Sequence, residues 1–196
     1  MKYRDPASGD SFIRKLRRDS TWPGDAYELT FSCYRRFPFL SRDRTREWFV
    51  EALNQAREKL AFDLWAWVIM PEHVHLLVSP NGSQTTIGKI RSHIKEPVAR
   101  RAMNYLEINA PEWLQKITVS EGSRTRRRFW QPGGGYDRNC TEIATAHAMI
   151  DYIHLNPVRR GLVEQSTDWE WSSARWYAGL RPVPIEVDAT LPMQTE

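Results

Sequence analysis

The chain has 196 residues, enough for one domain with a sizeable core and too few to suggest several. Hydrophobic residues are 41% and charged residues 27%, the balance of a soluble globular protein; a net charge of +4 and a pI near 9.2 suit a nucleic-acid partner without requiring one. Two cysteines exclude a disulfide framework or a zinc site, and neither the charged N-terminus nor the short apolar run Leu64 to Met70 can serve as a signal peptide or membrane span. A cytoplasmic protein without a membrane partner is expected.

Residues 1–24 read as a basic arm, with Arg14, Lys15, Arg17 and Arg18 crowded together and Trp22-Pro23-Gly24 closing it as a turn. Ala26 to Cys33 reads as a strand. Residues 43–60 carry Phe49, Ala52, Leu53, Ala56 and Leu60 at helical spacing, with Ser41 or Asp43 as the expected N-cap. Phe62 to Met70 reads as a buried strand, which Pro71-Glu72 turns into an antiparallel partner, His73-Val74-His75-Leu76-Leu77-Val78.

Side chains two apart on a strand share a face, so His73 and His75 point one way and Val74, Leu76 and Val78 the other, into a core. Two neighbouring imidazoles can hold a divalent metal, and they are equally at home as ordinary half-exposed strand residues. Glu72 reads as a solvated turn acid.

A second helix is expected from about Thr85, with Ile87, Ile90, Ile94 and Val98 as its stripe and Lys89, Arg91, Lys95, Arg100 and Arg101 on its other faces. That surface suits a phosphate backbone, or is simply solvated. Pro97 is expected to kink or interrupt this helix. Arg126, Arg127 and Arg128 run directly into Phe129 and Trp130, setting phosphate attraction beside a stacking surface. Gly133-Gly134-Gly135 lacks the Lys-Ser/Thr of a phosphate loop, and Tyr136 to Asn139 reads as a last strand. The order strand, helix, strand, strand, helix, strand is that of a ferredoxin-like split βαβ α+β domain, a central antiparallel sheet with helices packed on it. From Arg181 onward the proline-rich segment reads as an extended C-terminal tail.

A final helix is expected over 141–156, ending where Asn156 precedes Pro157. Ile143, Ala146, Ile150 and Ile153 form its buried stripe. Tyr152 lies roughly 140° from the centre of that stripe and Asn156 about 40° from Tyr152, so phenol and carboxamide project together from the other face. His154 falls near the stripe and reads as a packing residue.

The run Pro71-Glu72-His73-Val74-His75, together with Asp151 to Val163, resembles the REP-associated tyrosine transposases, single-tyrosine members of the class with a histidine-hydrophobic-histidine motif. Phe129-Trp130-Gln131-Pro132 and Asp168-Trp169-Glu170-Trp171-Ser172-Ser173 add to the likeness, which spans about residues 25–180. Pro97 and the basic arm depart from the family pattern. The resemblance implies His73, His75 and Asn156 as ligands of Mg²⁺ or Mn²⁺ and Tyr152 as the nucleophile. It further implies cleavage and joining of single-stranded DNA at REP-type hairpins through a 5′-phosphotyrosine, by a monomer or homodimer. Arg14, Arg17, Arg18, Lys89, Arg91, Lys95, Arg126, Arg127, Arg128 and Trp130 are the candidate DNA contacts.

The main alternative is a domesticated hairpin-binding protein that has lost catalysis. A histidine-triad nucleotide hydrolase is disfavoured, because a third alternating histidine would fall at position 77, which is Leu77.

Overall fold

A computed structural model of the chain describes residues 2–4, 11–13, 25–133, 136–140 and 142–192. The expected DNA contacts Arg14, Arg17 and Arg18, and the glycines Gly134 and Gly135, lie outside these residues. In chain order the elements are β1 (Lys2–Arg4), β2 (Ser11–Ile13), β3 (Ala26–Ser32), α1 (Asp43–Lys59), β4 (Phe62–Ile69) and β5 (His73–Pro80). They continue with α2 (Ile87–Asn109), α3 (Pro111–Ile117), β6 (Thr118–Glu121), β7 (Arg124–Arg127), β8 (Tyr136–Cys140), α4 (Ile143–Arg159) and α5 (Ala174–Tyr177).

The central sheet is antiparallel in the order β4-β5-β3-β8. Each of the two β-α-β units therefore has a strand of the other inserted between its own, which is the split βαβ arrangement expected from the sequence. A separate ribbon pairs β1 with β2, and another pairs β6 with β7.

Period-two alternation divides the sheet into two faces. Leu29, Phe31, Val74, Leu76 and Val78 join Phe49, Leu53, Ile90, Ile94 and Val98 of α1 and α2 in the larger core. A bulge between Leu64 and Ala66 shifts the parity of β4. Leu64 and Trp67 therefore face α1 and α2, whereas Trp65, Ala66 and Val68 face α4 with Ala146, Met149, Ile150 and Ile153. Ile143, expected on this stripe, is instead exposed at the start of the helix.

Several local expectations are corrected. Neither Ser41 nor Asp43 caps α1; the N-cap is Arg42, Ser41 donates to the Pro38 carbonyl, and Asp43 accepts from Arg46 in the first turn. Pro97 does not interrupt α2, whose helical run continues to Asn109, because the buried stripe from Ile87 to Ala102 anchors both sides of the proline. Pro157 likewise sits inside the last turn of α4, which continues to Arg159. The Asn156 amide donates to the Tyr152 carbonyl at 2.8 Å and ties together the turn that precedes the ring. The segment 104–118 holds the end of α2, the short α3 and the first residue of β6.

Residues 182–192 carry no helix or strand but are docked. Ile185 and Val187 enter the larger core, and Asp188 accepts from Arg57 and from the Leu64 amide. Nearby, Trp171 and Ser173 bond to the backbone of Ile69 and Trp67. Both segments thus cover the outer edge of β4, which would otherwise be an open template for pairing.

Candidate active site

The antiparallel register sets Thr30 opposite His75 and Ser32 opposite His73. The imidazoles share the face that α4 covers, with ring centroids 4.9 Å apart. Each ring has its own carboxylate. His75 Nδ1 donates to Glu28 Oε1 at 3.0 Å, with Thr30 Oγ1 2.9 Å from the same nitrogen, and His73 Nδ1 donates to Glu72 Oε1 at 3.1 Å. Glu72, read from sequence as a solvated turn acid, is only 7% exposed. The turn itself draws it in, because the Glu72 carbonyl accepts from the Cys33 amide beside the end of β3.

With Nδ1 engaged in this way, Nε2 is the nitrogen left on each ring for a ligand. Burial, reinforced by the neighbouring His75, holds His73 neutral well below the ordinary histidine range.

Tyr152 leaves α4 on the side away from its buried stripe and is 39% exposed. Its ring lies edge-on to His75 with centroids 5.7 Å apart, and the Arg159 guanidinium sits 5.3 Å from its centre. One turn on, Asn156 commits its NH₂ to the Tyr152 carbonyl, so its carboxamide oxygen is the atom with ligand chemistry. His154 points elsewhere, as expected of a packing residue. It is buried, bonded to Ser173 Oγ at 2.8 Å and packed on Tyr177.

His73, His75, Tyr152 and Asn156 line one cleft of about 930 Å³, together with Glu28, Thr30, Arg36, Arg138, Thr145, Met149, Arg159 and Arg160. Four arginines against two buried carboxylates, Glu28 and Glu72, leave the site with an excess of positive charge suited to an anion. Two imidazoles and a carboxamide line the same cleft, and nitrogen and oxygen donors of these types suit a divalent ion. Among the described residues no group of three or more His, Cys, Asp or Glu side chains could hold a metal ion.

Sequence reasoning missed the cleft's arginines as anion contacts. Arg36 follows β3 in a loop where both Arg35 and Arg36 adopt the left-handed region, with φ of 50° and 53°. No sequence signal announces two consecutive non-glycine residues in that conformation. Arg159 and Arg160 follow the tyrosine by seven and eight positions, so helical spacing could have found them.

Of the expected DNA contacts, Lys89, Arg91 and Lys95 lie on α2, which packs on the opposite sheet face from the cleft. Lys89 donates to the Gln84 carbonyl, and the Lys95 ammonium lies over Phe31. Arg126 and Arg127 are exposed on the β6–β7 ribbon, where Arg127 pairs with Glu107, and Arg128 follows at its base. Trp130, expected to stack on bases, is a core residue. It packs edge-on against Phe31 at 5.2 Å, donates its indole NH to the Lys95 carbonyl and is 7% exposed. Its faces are filled by protein.

Residues 25–156 match the family described as "Transposase IS200 like", a span that contains Glu28, Glu72, both histidines, Tyr152 and Asn156. The chain belongs to this family of DNA-processing enzymes. Over 147 residues it is 28% identical to the REP-associated tyrosine transposase of Escherichia coli (strain K12), covering 71% of this chain and 72% of that one. Over 149 residues it is 26% identical to a Haemophilus influenzae protein assigned to the same group, covering 70% and 77% respectively. A solved structure described as the REP-associated tyrosine transposase bound to a REP hairpin aligns over 94% of this chain and 99% of that chain, with a TM-score of 0.64 at 21% identity, which shows a common fold. The resemblance read from the motifs is thus found again across the whole domain. No helix among the described residues is long and apolar enough to cross a membrane.

Proposed function

We infer that this chain cuts and rejoins single-stranded DNA at REP-type hairpins, with Tyr152 as the nucleophile. The observation that carries this reading is the convergence, within one chain, of the Tyr152 ring and two carboxylate-backed imidazoles in an arginine-lined cleft. The phenolic oxygen attacks a backbone phosphorus, the new bond being Tyr152 Oη–P. The P–O3′ bond breaks, the phenol gives up its proton, and the departing 3′-oxygen takes one to become a free hydroxyl. A 5′-phosphotyrosine preserves the energy of the phosphodiester, so a 3′-hydroxyl can reverse the step and join strands.

His73, His75 and Asn156 would hold Mg²⁺ or Mn²⁺, which when bound supplies polarisation of the scissile phosphate. Glu28 and Glu72 orient the two imidazoles and keep Nε2 as the ligating atom. Arg159 places positive charge beside the phenol as it loses its proton. Arg36, Arg138 and Arg160 attract the strand's phosphates into the cleft. The hairpin as substrate is carried over from the fold relative bound to a REP hairpin.

The test is to incubate the protein with end-labelled single-stranded hairpin DNA and Mg²⁺ and to run the products on a denaturing gel. An SDS-stable adduct is expected for the wild type and not for Tyr152→Phe or in EDTA. Binding without an adduct across several hairpins would instead support a protein that keeps the fold and has lost the chemistry.

A further inference from the structure

The outer edge of the site is organised by one atom. Glu72 Oε1 accepts from His73 Nδ1 at 3.1 Å and also lies 3.2 Å from a guanidinium nitrogen of Arg160 and 3.6 Å from one of Arg36. The three partners come from three places: the strand β5, the end of α4 and the strained loop after β3. The carboxylate itself is shielded, whereas the Arg160 and Arg36 side chains are 54% and 65% exposed. Each guanidinium has five N–H donors, so a single contact to Glu72 leaves most of them for a ligand. The left-handed backbone of Arg35 and Arg36 is a conformation that non-glycine residues hold only where their surroundings impose it. Here the Arg35 amide donates to Gln131 and the Tyr34 amide to the Phe129 carbonyl, which fixes the loop that aims Arg36 at the cleft.

We propose that Glu72 is a positioning residue that joins the two halves of the site, orienting His73 while setting Arg36 and Arg160 as a clamp on one phosphate of the DNA strand. This rests on the reading of the cleft as the DNA-cleaving site. The buried carboxylate is too enclosed to meet substrate, and the arginines meet the phosphodiester anion in its place. A phosphate held by two forks has its orientation fixed as well as its charge compensated. Because His73 hangs on the same oxygen, the clamped phosphate and the ligand imidazole keep a constant relation.

Three measurements separate this role from a merely structural one: Mn²⁺ affinity by calorimetry, affinity for a fluorescein-labelled hairpin oligonucleotide in EDTA across a salt series, and the rate of adduct formation at saturating DNA. Arg36→Ala and Arg160→Ala, both on exposed side chains, should leave Mn²⁺ affinity unchanged. Each should weaken hairpin binding about tenfold and lower the salt slope by about 1, with partial rescue by lysine. Glu72→Gln should weaken Mn²⁺ binding roughly 10- to 100-fold, slow adduct formation at saturating DNA, and weaken hairpin binding in EDTA by no more than either arginine variant does.

The proposal is overturned by a folded Glu72→Gln protein with wild-type Mn²⁺ affinity and adduct rate. It is equally overturned by arginine variants with unchanged affinity and salt slope. If Glu72→Gln does not fold, the two arginine variants decide the clamp. If the wild type forms no adduct, the parent reading fails, and the Mn²⁺ and hairpin-binding arms still decide this one.

Discussion

The two faces of the central sheet are built from the same strands and are chemically opposite. Toward α1 and α2, β3 and β5 present Leu29, Phe31, Val74, Leu76 and Val78, all buried in the larger core. Toward α4 the intervening positions are Glu28, Thr30, His73 and His75, an acid-imidazole layer roofed by a tyrosine and arginines. A strand lets adjacent residues serve unrelated ends, because a shift of one position changes which side of the sheet a side chain meets. One face supplies the stability that holds the other in register.

The comparison predicts a double dissociation. Tyr152→Phe should abolish the DNA adduct altogether, while its urea midpoint stays within about 0.5 kcal/mol of wild type, as expected for a half-exposed side chain that loses one hydroxyl. Leu76→Ala, one residue from His75 but on the opposite face and fully buried, should cost about 2–5 kcal/mol in denaturant unfolding. The folded fraction of that variant should still form the adduct. If Leu76→Ala protein that is demonstrably folded is inactive, the two faces are not separable in the way described.

A third prediction concerns pH. Burial pushes the His154 imidazole down to about 4 from the usual 6.5. Above pH 6.5 both folded and unfolded chains carry it neutral, and no penalty exists. As pH falls from 6.5 toward 4 the unfolded state takes up a proton that the folded state refuses, so stability drops, by roughly 3 kcal/mol at the limit. Below about 4 the folded state protonates too and the loss levels off. Denaturant midpoints at pH 7.5 and 5 should differ less in His154→Gln than in wild type; an equal difference would remove His154 from this account.

The smallest expected effect separates the basic surfaces. Lys89 stands on α2, across the sheet from the cleft, whereas Arg159 borders Tyr152. Lys89→Ala should shift hairpin affinity less than threefold. Arg159→Ala should shift it about tenfold and lower the salt slope by about 1. A larger loss for Lys89→Ala in fluorescence anisotropy would place a second DNA track on the α2 face.

Much of this division is legible in the chain itself. Alternation at Val74, Leu76 and Val78, and the 3.6-residue stripe of Ile87, Ile90, Ile94 and Val98, mark what is buried because burial follows a period. The angular offset of Tyr152 from its helix stripe marks it as facing something other than the core. The carboxylates were not legible as partners. Glu28 meets His75 only through the cross-strand register of β3 and β5, 47 positions apart in the chain, and Glu72 is buried where its turn bonds to Cys33. Trp130 misled for a related reason. An indole beside a run of arginines looks the same in sequence whether it stacks on a base or, as here, packs edge-on against Phe31. The tail after Arg181 reads as loose because prolines break periodicity, yet Ile185, Val187 and Asp188 are among the side chains that dock residues 182–192.

The most direct test of the central claim is to locate the covalent bond. An adduct formed with hairpin DNA and Mn²⁺ would be trimmed by nuclease, digested with protease and sequenced by tandem mass spectrometry. The account predicts a 5′-phosphonucleotide on the α4 peptide, carried by Tyr152. A phosphonucleotide carried by any other side chain, with Tyr152 unmodified, would contradict it.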